Sequence, residues 1–329
     1  MTANVLIVAP AWVGDMVMAH SLVRVLVETA HANVHLLAPV VTAPLGKRMP
    51  GVVATHVLDV AHGVLGLSKR RAWGRAHLGE FDQAIVLPNS FKSALAPYWA
   101  RIPQRTGWRG EARVGVLNDR RVLDPAAYPR MVDRFVALAQ ASGEAAIAPP
   151  LPELSADLSN AQALCERFAL TSDSGVTVLC PGAEFGPAKR WPAEHFAAVA
   201  RHALAEGHSV WLLGSRADAT VAAEIERQVP ESLANLCGQT TLLDAVDLLS
   251  LAERVVCNDS GLMHVACALG RSVVGVFGST SPDFTPPLGP AATVVREPQP
   301  CSPCFQRECP LGHLRCLREL SPDKVIGVL

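Results

Sequence analysis

VLIVAPAWVGDMVMAHSLVRVL (residues 5–26) opens as a strand-length apolar run, turns at Pro, Trp and Gly, and resumes as an amphipathic helical repeat. A continuous Val, Leu and Ile run followed directly by a helix is the start of a βα unit whose strand is covered on both faces. Asp15 falls in the first turn of that helix. A carboxylate there complements the free N–H groups and the positive end of the helix dipole, so capping alone explains it and a second role stays open.

The pattern repeats outward from this unit. Strand-length apolar runs recur at 34–38, 52–57 and 83–87, with helical periodicity over 16–30 and 90–100. GEAAIAPPLPELS (143–155), with prolines at 149, 150 and 152, then breaks the pattern and reads as an extended, semi-rigid connector. A second series follows, with strands at 176–180, 208–213, 254–257 and 272–277 and helices at 193–205, 217–228, 242–251 and 262–269. The expected fold class is α/β, with two doubly wound parallel sheets in domains 1–150 and 151–329.

The chain has 329 residues, half of them apolar and 18% charged, which suits two compact domains and argues against disorder. No N-terminal leader pattern occurs and no apolar run approaches the roughly 18 to 20 residues that span a bilayer, so a cytoplasmic protein is expected. The net charge of −1 hides an asymmetry: residues 1–150 hold 16 Lys and Arg against 10 Asp and Glu, and residues 151–329 hold 13 against 20. The excess lies in KRRAWGR (69–75) and in Arg101, Arg105, Arg109, Arg113, Arg120, Arg121, Arg130 and Arg134. It reads either as a solvated basic face or as a surface for an anionic partner. Nucleic acid is not expected as that partner, because interleaved aromatics and a binding motif are missing.

In open parallel sheets ligands bind outside the carboxyl ends of the strands, and the unusual short stretches fall at such ends. Asp15 follows the first strand of the first half; PGAEFGPAKRWP (181–192), GSRAD (214–218) and NDSGLMH (258–264) follow strands of the second. If the two carboxyl edges face each other, these stretches share one cleft suited to two substrates. Asp259, Ser260 and Gly261 open a helix whose N-terminus favours an anion, although Asp259 is better suited to capping or to binding hydroxyls. His264, one turn on, faces a ligand or sits satisfied in the core. Lys189 and Arg190 lie on an irregular loop, where a lysine beside a diphosphate would offset leaving-group charge. Neither a P-loop nor a G-x-G-x-x-G fingerprint occurs, which argues against a nicotinamide enzyme.

PAWVGDMVMAHSL (10–22), PGAEFGPAKRWP (181–192), NDSGLMHVA (258–266) and GSTSPDFTPPLGP (278–290) together resemble the lipopolysaccharide heptosyltransferases of glycosyltransferase family nine, over nearly the whole chain. The resemblance implies a GT-B fold of two Rossmann-like domains facing across a cleft, acceptor bound mainly by the first and nucleotide sugar by the second. It implies inverting transfer of L-glycero-D-manno-heptose from ADP-heptose to the first heptose of the inner core on Kdo-lipid A. Asp15 then matches the general base and Lys189 the lysine at the donor phosphates. Gly182, Gly214, Ser215, Asp218, Asp259, Ser260, Gly261 and His264 match the donor side, with Asp218 or Arg216 holding the ribose or only capping a helix. Trp12, Gly14, Arg70, Arg71 and Arg120 are the acceptor-side candidates. The anionic lipid acceptor gives the basic half a partner and implies peripheral contact with the cytoplasmic face of the inner membrane. No cofactor is required and a divalent cation is not expected to be essential, since no Asp-x-Asp lies at the diphosphate stretch. A family-nine transferase with another acceptor is the alternative within the class.

CSPCFQRECPLGHLRC (301–316) places Cys301, Cys304, Cys309 and Cys316 around His313. The first pair has zinc-ligand spacing and the second does not, so a structural metal site and a reduced cysteine-rich loop both fit. A metal-responsive nucleotide-binding protein is the reading from outside enzymology. Cys165, Cys180, Cys237, Cys257 and Cys267 lie in apolar patterns and read as free core thiols.

Overall fold

The computed structural model describes residues 2–141, 143–172, 174–229 and 233–329. The chain divides into two compact units, Met1–Glu153 and Leu154–Leu329. In the first, strands β1 (Asn4–Val8), β2 (Asn33–Pro39), β3 (Val52–Leu58), β4 (Gln83–Val86), β5 (Gln104–Trp108) and β6 (Asp119–Arg121) form a sheet ordered β3-β2-β1-β4-β5-β6. Every pairing in it is parallel. Helices α1 (Val13–Ala30), α2 (Leu67–Ala76), α3 (Leu95–Trp99) and α4 (Met131–Val136) complete this unit.

The second unit repeats the design. Its strands are β7 (Val176–Cys180), β8 (Ser209–Leu212), β9 (Ala234–Asn235), β10 (Arg254–Asn258), β11 (Ser272–Phe277) and β12 (Ala292–Arg296). They are all parallel, in the order β12-β11-β10-β7-β8-β9. Its helices are α5 (Leu158–Phe168), α6 (Ala193–Ala205), α7 (Ala219–Gln228), α8 (Leu242–Leu249), α9 (Gly261–Ala268), α10 (Arg315–Arg318) and α11 (Pro322–Ile326). In each sheet the strand order reverses beside the unit's first strand, between β1 and β4 and between β7 and β10. Loops leaving the strands in opposite directions open a crevice at such a point.

The central strands form because their residues suit burial on both faces: all of Val176–Cys180 and nearly all of Asn4–Val8 are buried. Around them Phe196, Trp191, Leu179, Leu212, Val256 and Val276 build one core, and Leu6, Leu37, Phe81, Val86 and Ile102 belong to another. The stretch 90–100 is not one helix. It splits into a 3₁₀ turn (Phe91–Ala94) and the short α3, where Pro97 lacks an N–H for continued helical bonding. The connector is tied to α1 rather than free. Ser21 Oγ donates to Pro150 O (2.7 Å), Arg24 Nη1 to Leu151 O (3.0 Å) and Glu153 N to His20 Nδ1 (2.9 Å), and Arg24 pairs with Glu153.

Several histidines of the first unit are folded in uncharged form. His20, buried on α1, donates through Nε2 to Pro50 O (2.9 Å) while its Nδ1 accepts from Glu153, and burial lowers its pKa. His56 stacks with His35 (centroids 5.7 Å apart) and meets His77 edge-on at 4.8 Å. Burial lowers the pKa of both His35 and His56, and for His56 the neighbouring His77 and His35 add to the effect. Each folded-state pKa lies below the ordinary value of 6.5, so below that value the unfolded chain takes up more protons and stability falls as pH drops. Denaturation midpoints are therefore expected to be flat above about pH 7 and to decline steadily below pH 6.5. His56→Phe, which keeps a ring beside Trp73 and Phe81, should reduce that slope; an unchanged slope would remove the cluster as its source.

Candidate functional site

In the second unit the loops leaving β7, β8, β10 and β11 lie side by side, because those four strands are neighbours in the sheet. Residues 181–192 leave β7 and are fixed at both ends by Asn258, the last residue of β10. Its Nδ2 donates to Pro181 O (2.7 Å) and its Oδ1 accepts from Trp191 N (3.0 Å). Between these anchors Pro187–Lys189 forms a 3₁₀ turn that delivers Lys189 inward. Lys189 Nζ donates to Asp259 Oδ2 at 2.6 Å, and Thr280 Oγ1, from the loop after β11, donates to the same oxygen at 2.6 Å. The side chains of Lys189 and Asp259 are 14% and 5% exposed, so this is an almost dry ion pair. Asp259 is thereby engaged by a cation and a hydroxyl rather than by a helix end.

The start of α9 is not capped by a side chain: Ser260, its N-cap residue, makes no side-chain capping bond. Four orphan N–H groups at such an end favour an anion. His264, one turn in, is buried, its Nδ1 lacks a hydrogen-bond partner, and burial pulls its pKa down to about 4 against the opposing influence of Asp259. It is neutral at physiological pH. The loop after β8 is closed by Asp218, whose Oδ2 accepts from Ser215 N (2.9 Å) and Ser215 Oγ (2.7 Å). The other carboxylate oxygen, Oδ1, is buried without a hydrogen bond, with Arg190 Nη2 at 3.9 Å. Asp218 therefore caps its turn with one oxygen, while the other is enclosed beside Gly182 and faces Arg190 without a hydrogen bond. Gly182 is required by the same residue, since a Cβ there would lie 2.3 Å from Asp218 Cγ. Gly214 is nearly as confined, with Asp218 Cβ at 3.1 Å from such an atom.

The first unit carries the other sequence-selected residues. Trp12, extended and 38% exposed, precedes α1 without a side-chain cap; Gly14 and Asp15 follow half-buried in the first turn, at the carboxyl end of β1. Arg71 and Arg120 are exposed, and Arg120 lies on the edge strand β6, three strands from β1. Arg70 is turned inward, buried, with Nε donating to Leu65 O (2.9 Å), so it holds its own loop. Much of the remaining arginine excess is likewise internal. Arg105 donates to Val116 O, Arg113 to Pro88 O and Trp108 O, Arg134 to Tyr128 O, and Arg121 to Asp119 and to Ala137 O.

Cys301, Cys304, Cys309 and Cys316 line one small cavity with His313, Ser279 and Ala188, and all nine cysteines are free thiols. Burial, with the neighbouring Cys301, Cys304 and Cys309, raises the Cys316 thiol, while the Leu314 backbone foremost, then those of Leu311, Gly312 and His313, lower Cys309. Among the described residues no three His, Cys, Asp or Glu are placed to hold a metal ion. Asn258, Thr280 and the segment against Ala188 are site residues that sequence reasoning did not single out. An asparagine ending a buried strand, with no turn of its own to make, was the available signal for the first.

A family model described as "Glycosyltransferase family 9 (heptosyltransferase)" matches residues 70–315. Lipopolysaccharide heptosyltransferase 2 of Salmonella typhimurium is 42% identical over 99% of this chain and 97% of its own length, as is the Escherichia coli protein of the same name. The solved E. coli ADP-heptose lipopolysaccharide heptosyltransferase II superposes with a TM-score of 0.87 at 41% identity, covering 99% of this chain and 97% of that one.

The ion pair gives a test of how the site is held. Lys189→Met strands Asp259 in a nearly dry setting and is expected to lower stability by about 3–5 kcal/mol, the usual cost of breaking a buried pair from one side. Lys189→Met combined with Asp259→Asn should recover much of that loss without recovering function. Urea denaturation of the two singles and the double measures the coupling. Additive losses would mean the pair contributes nothing as a pair.

Proposed function

This chain belongs to glycosyltransferase family 9, and on that premise we propose that it is an inverting heptosyltransferase moving L-glycero-D-manno-heptose from ADP-heptose to the first heptose of the lipopolysaccharide inner core. The observation that carries the reading is the loop set at the β7/β10 reversal. It offers an anion an uncapped helix start beside Lys189, with the Asp218 carboxylate on the adjoining loop for a hydroxyl. Those are the two recognition features of a sugar nucleotide, a diphosphate and a ribose. The near full-length 42% identity to heptosyltransferase 2 proteins favours this acceptor over the others used in the family.

In this scheme inversion is a single in-line displacement. The acceptor oxygen bonds to the anomeric carbon as the bond from that carbon to the ADP oxygen breaks, and the electron pair of that bond departs with ADP. Asp15, in the first unit, takes the acceptor proton, a role that typically contributes 10²–10⁴-fold. Lys189 and the α9 N–H groups meet the charge growing on ADP. A divalent cation is not expected to be essential, since no Asp-x-Asp lies at the diphosphate stretch. Gly14 and Trp12 frame Asp15, with Arg71 and Arg120 the exposed acceptor-side cations.

Among the described residues no helix is long and apolar enough to cross a membrane. We place peripheral contact with the cytoplasmic leaflet on α2 and the loop before it. Residues 60–79 contain four basic residues and no acidic one. Leu67, Arg71 and Arg75 recur at four-residue spacing on one exposed face, with Leu78 close by and Val64 and Leu65 exposed just before the helix. Apolar side chains beside unopposed arginines suit an anionic interface.

Incubation with ADP-heptose and either Kdo-lipid A or its monoheptosylated form should consume only the latter; consumption of the unheptosylated acceptor alone would overturn the acceptor assignment. Asp15→Asn should keep ADP binding and lose about 10²–10⁴-fold in turnover. Full turnover in that variant would remove Asp15 as the base. Co-sedimentation with vesicles rich in anionic lipid should fall several-fold in Leu67→Ser/Arg75→Glu. Equal sedimentation of variant and parent would sink the docking face.

A further inference from the structure

The proposed donor site is short of positive charge. Lys189 is neutralised by Asp259 at 2.6 Å, and Arg190 stands 3.9 Å from the Asp218 carboxylate. A diphosphate bound there brings charge that the Lys189–Asp259 pair, neutral as a unit, does not balance. Beside the same loop stands a cation with no such partner. Arg307, in the cysteine-rich segment, places its guanidinium carbon 5.3 Å from the centroid of the Phe185 ring, and Lys189 Nζ lies 5.0 Å from that centroid. The ring's quadrupole attracts a cation without engaging its N–H groups, so the Arg307 guanidinium keeps its donors. Among the described residues the Arg307 guanidinium makes no hydrogen bond or ion pair, and the residue is exposed.

Its position is fixed by the main chain. Arg307 O accepts from Ala188 N at 3.0 Å, one residue before Lys189. Gly186 approaches so closely that a Cβ there would lie 2.4 Å from Arg307 O. Upstream, Cys304 N and Phe305 N both donate to Ser279 O (3.1 and 2.7 Å), beside the Thr280 that holds Asp259. The segment thus docks on the loops after β7 and β11 at once and presents Arg307 at their junction. An exposed arginine with no ion-pair partner, anchored at its own carbonyl to the loop of the donor lysine, has the chemistry of a diphosphate ligand, since a guanidinium offers two parallel N–H groups to phosphate oxygens.

We propose that Arg307 binds the donor diphosphate, which makes the cysteine-rich segment part of the donor site. The proposal rests on the sugar-nucleotide reading above. Calorimetric titration of the full chain with ADP and, separately, with adenosine tests it in wild type, Arg307→Gln and Arg307→Lys. Arg307→Gln should weaken ADP binding about 10-fold or more and leave adenosine binding unchanged, because adenosine has no phosphate. Arg307→Lys, with the charge and without the fork, should fall between. Unaltered ADP affinity in Arg307→Gln would overturn the proposal, and so would equal losses for ADP and adenosine, which would mark the residue as a mere support of the loop. A wild-type chain that binds no ADP would instead sink the donor reading itself.

Discussion

The bond from Lys189 to Asp259 joins the loop after β7 to the loop after β10 across the point where the second sheet reverses its strand order. Much of the proposed donor site is arranged around it. Thr280 brings the loop after β11 to the same carboxylate oxygen, and the neighbouring Asn258 clamps both ends of the Lys189 loop. A pair this dry is costly to form and more costly to break from one side, so it specifies the loop arrangement more than it stabilises the fold. Burial likewise keeps His264 neutral.

What the sequence made legible follows from burial. Strands β1, β2, β4, β7, β10 and β11 are central or nearly so, and their Val, Ile and Leu runs cannot be read as anything polar. Strands β6 and β9 have three and two residues, and β5 opens on Gln104 and Arg105, so the apolar pattern that marks a strand is missing from them, while β12 lies at the sheet edge with a single buried residue. The helix over 90–100 failed at Pro97 for a local reason that the sequence contained but the periodicity outweighed.

The arginine excess failed differently. Composition counts charges without saying where they point, and the guanidinium is the side chain best able to satisfy several main-chain carbonyls at once. Arg105, Arg113 and Arg121 each reach two carbonyls of the first unit in this way, and Arg70 reaches one. Arg71, Arg75, Arg101, Arg109 and Arg120 are among those that remain as surface charge. The donor-side glycines were legible as motif letters and illegible as causes: Gly182 is demanded by Asp218, 36 positions later, and no local rule links them.

The cysteine-rich segment owes its place to topology as much as to residue identity. Its four thiols line one cavity of about 20 Å³ with His313, and among the described residues no three His, Cys, Asp or Glu are placed to hold a metal ion. The contacts that join the segment to the rest of the second unit include main-chain bonds to Ser279 O and Ala188 N, which any sequence could supply. What an arbitrary sequence could not supply is a close-packed turn tight enough to set a guanidinium over Phe185, and small thiols beside Gly278 and Ala188 permit that packing. The cysteines shape the turn and the proposed diphosphate contact falls to the arginine, with Lys189 near the same ring held by Asp259.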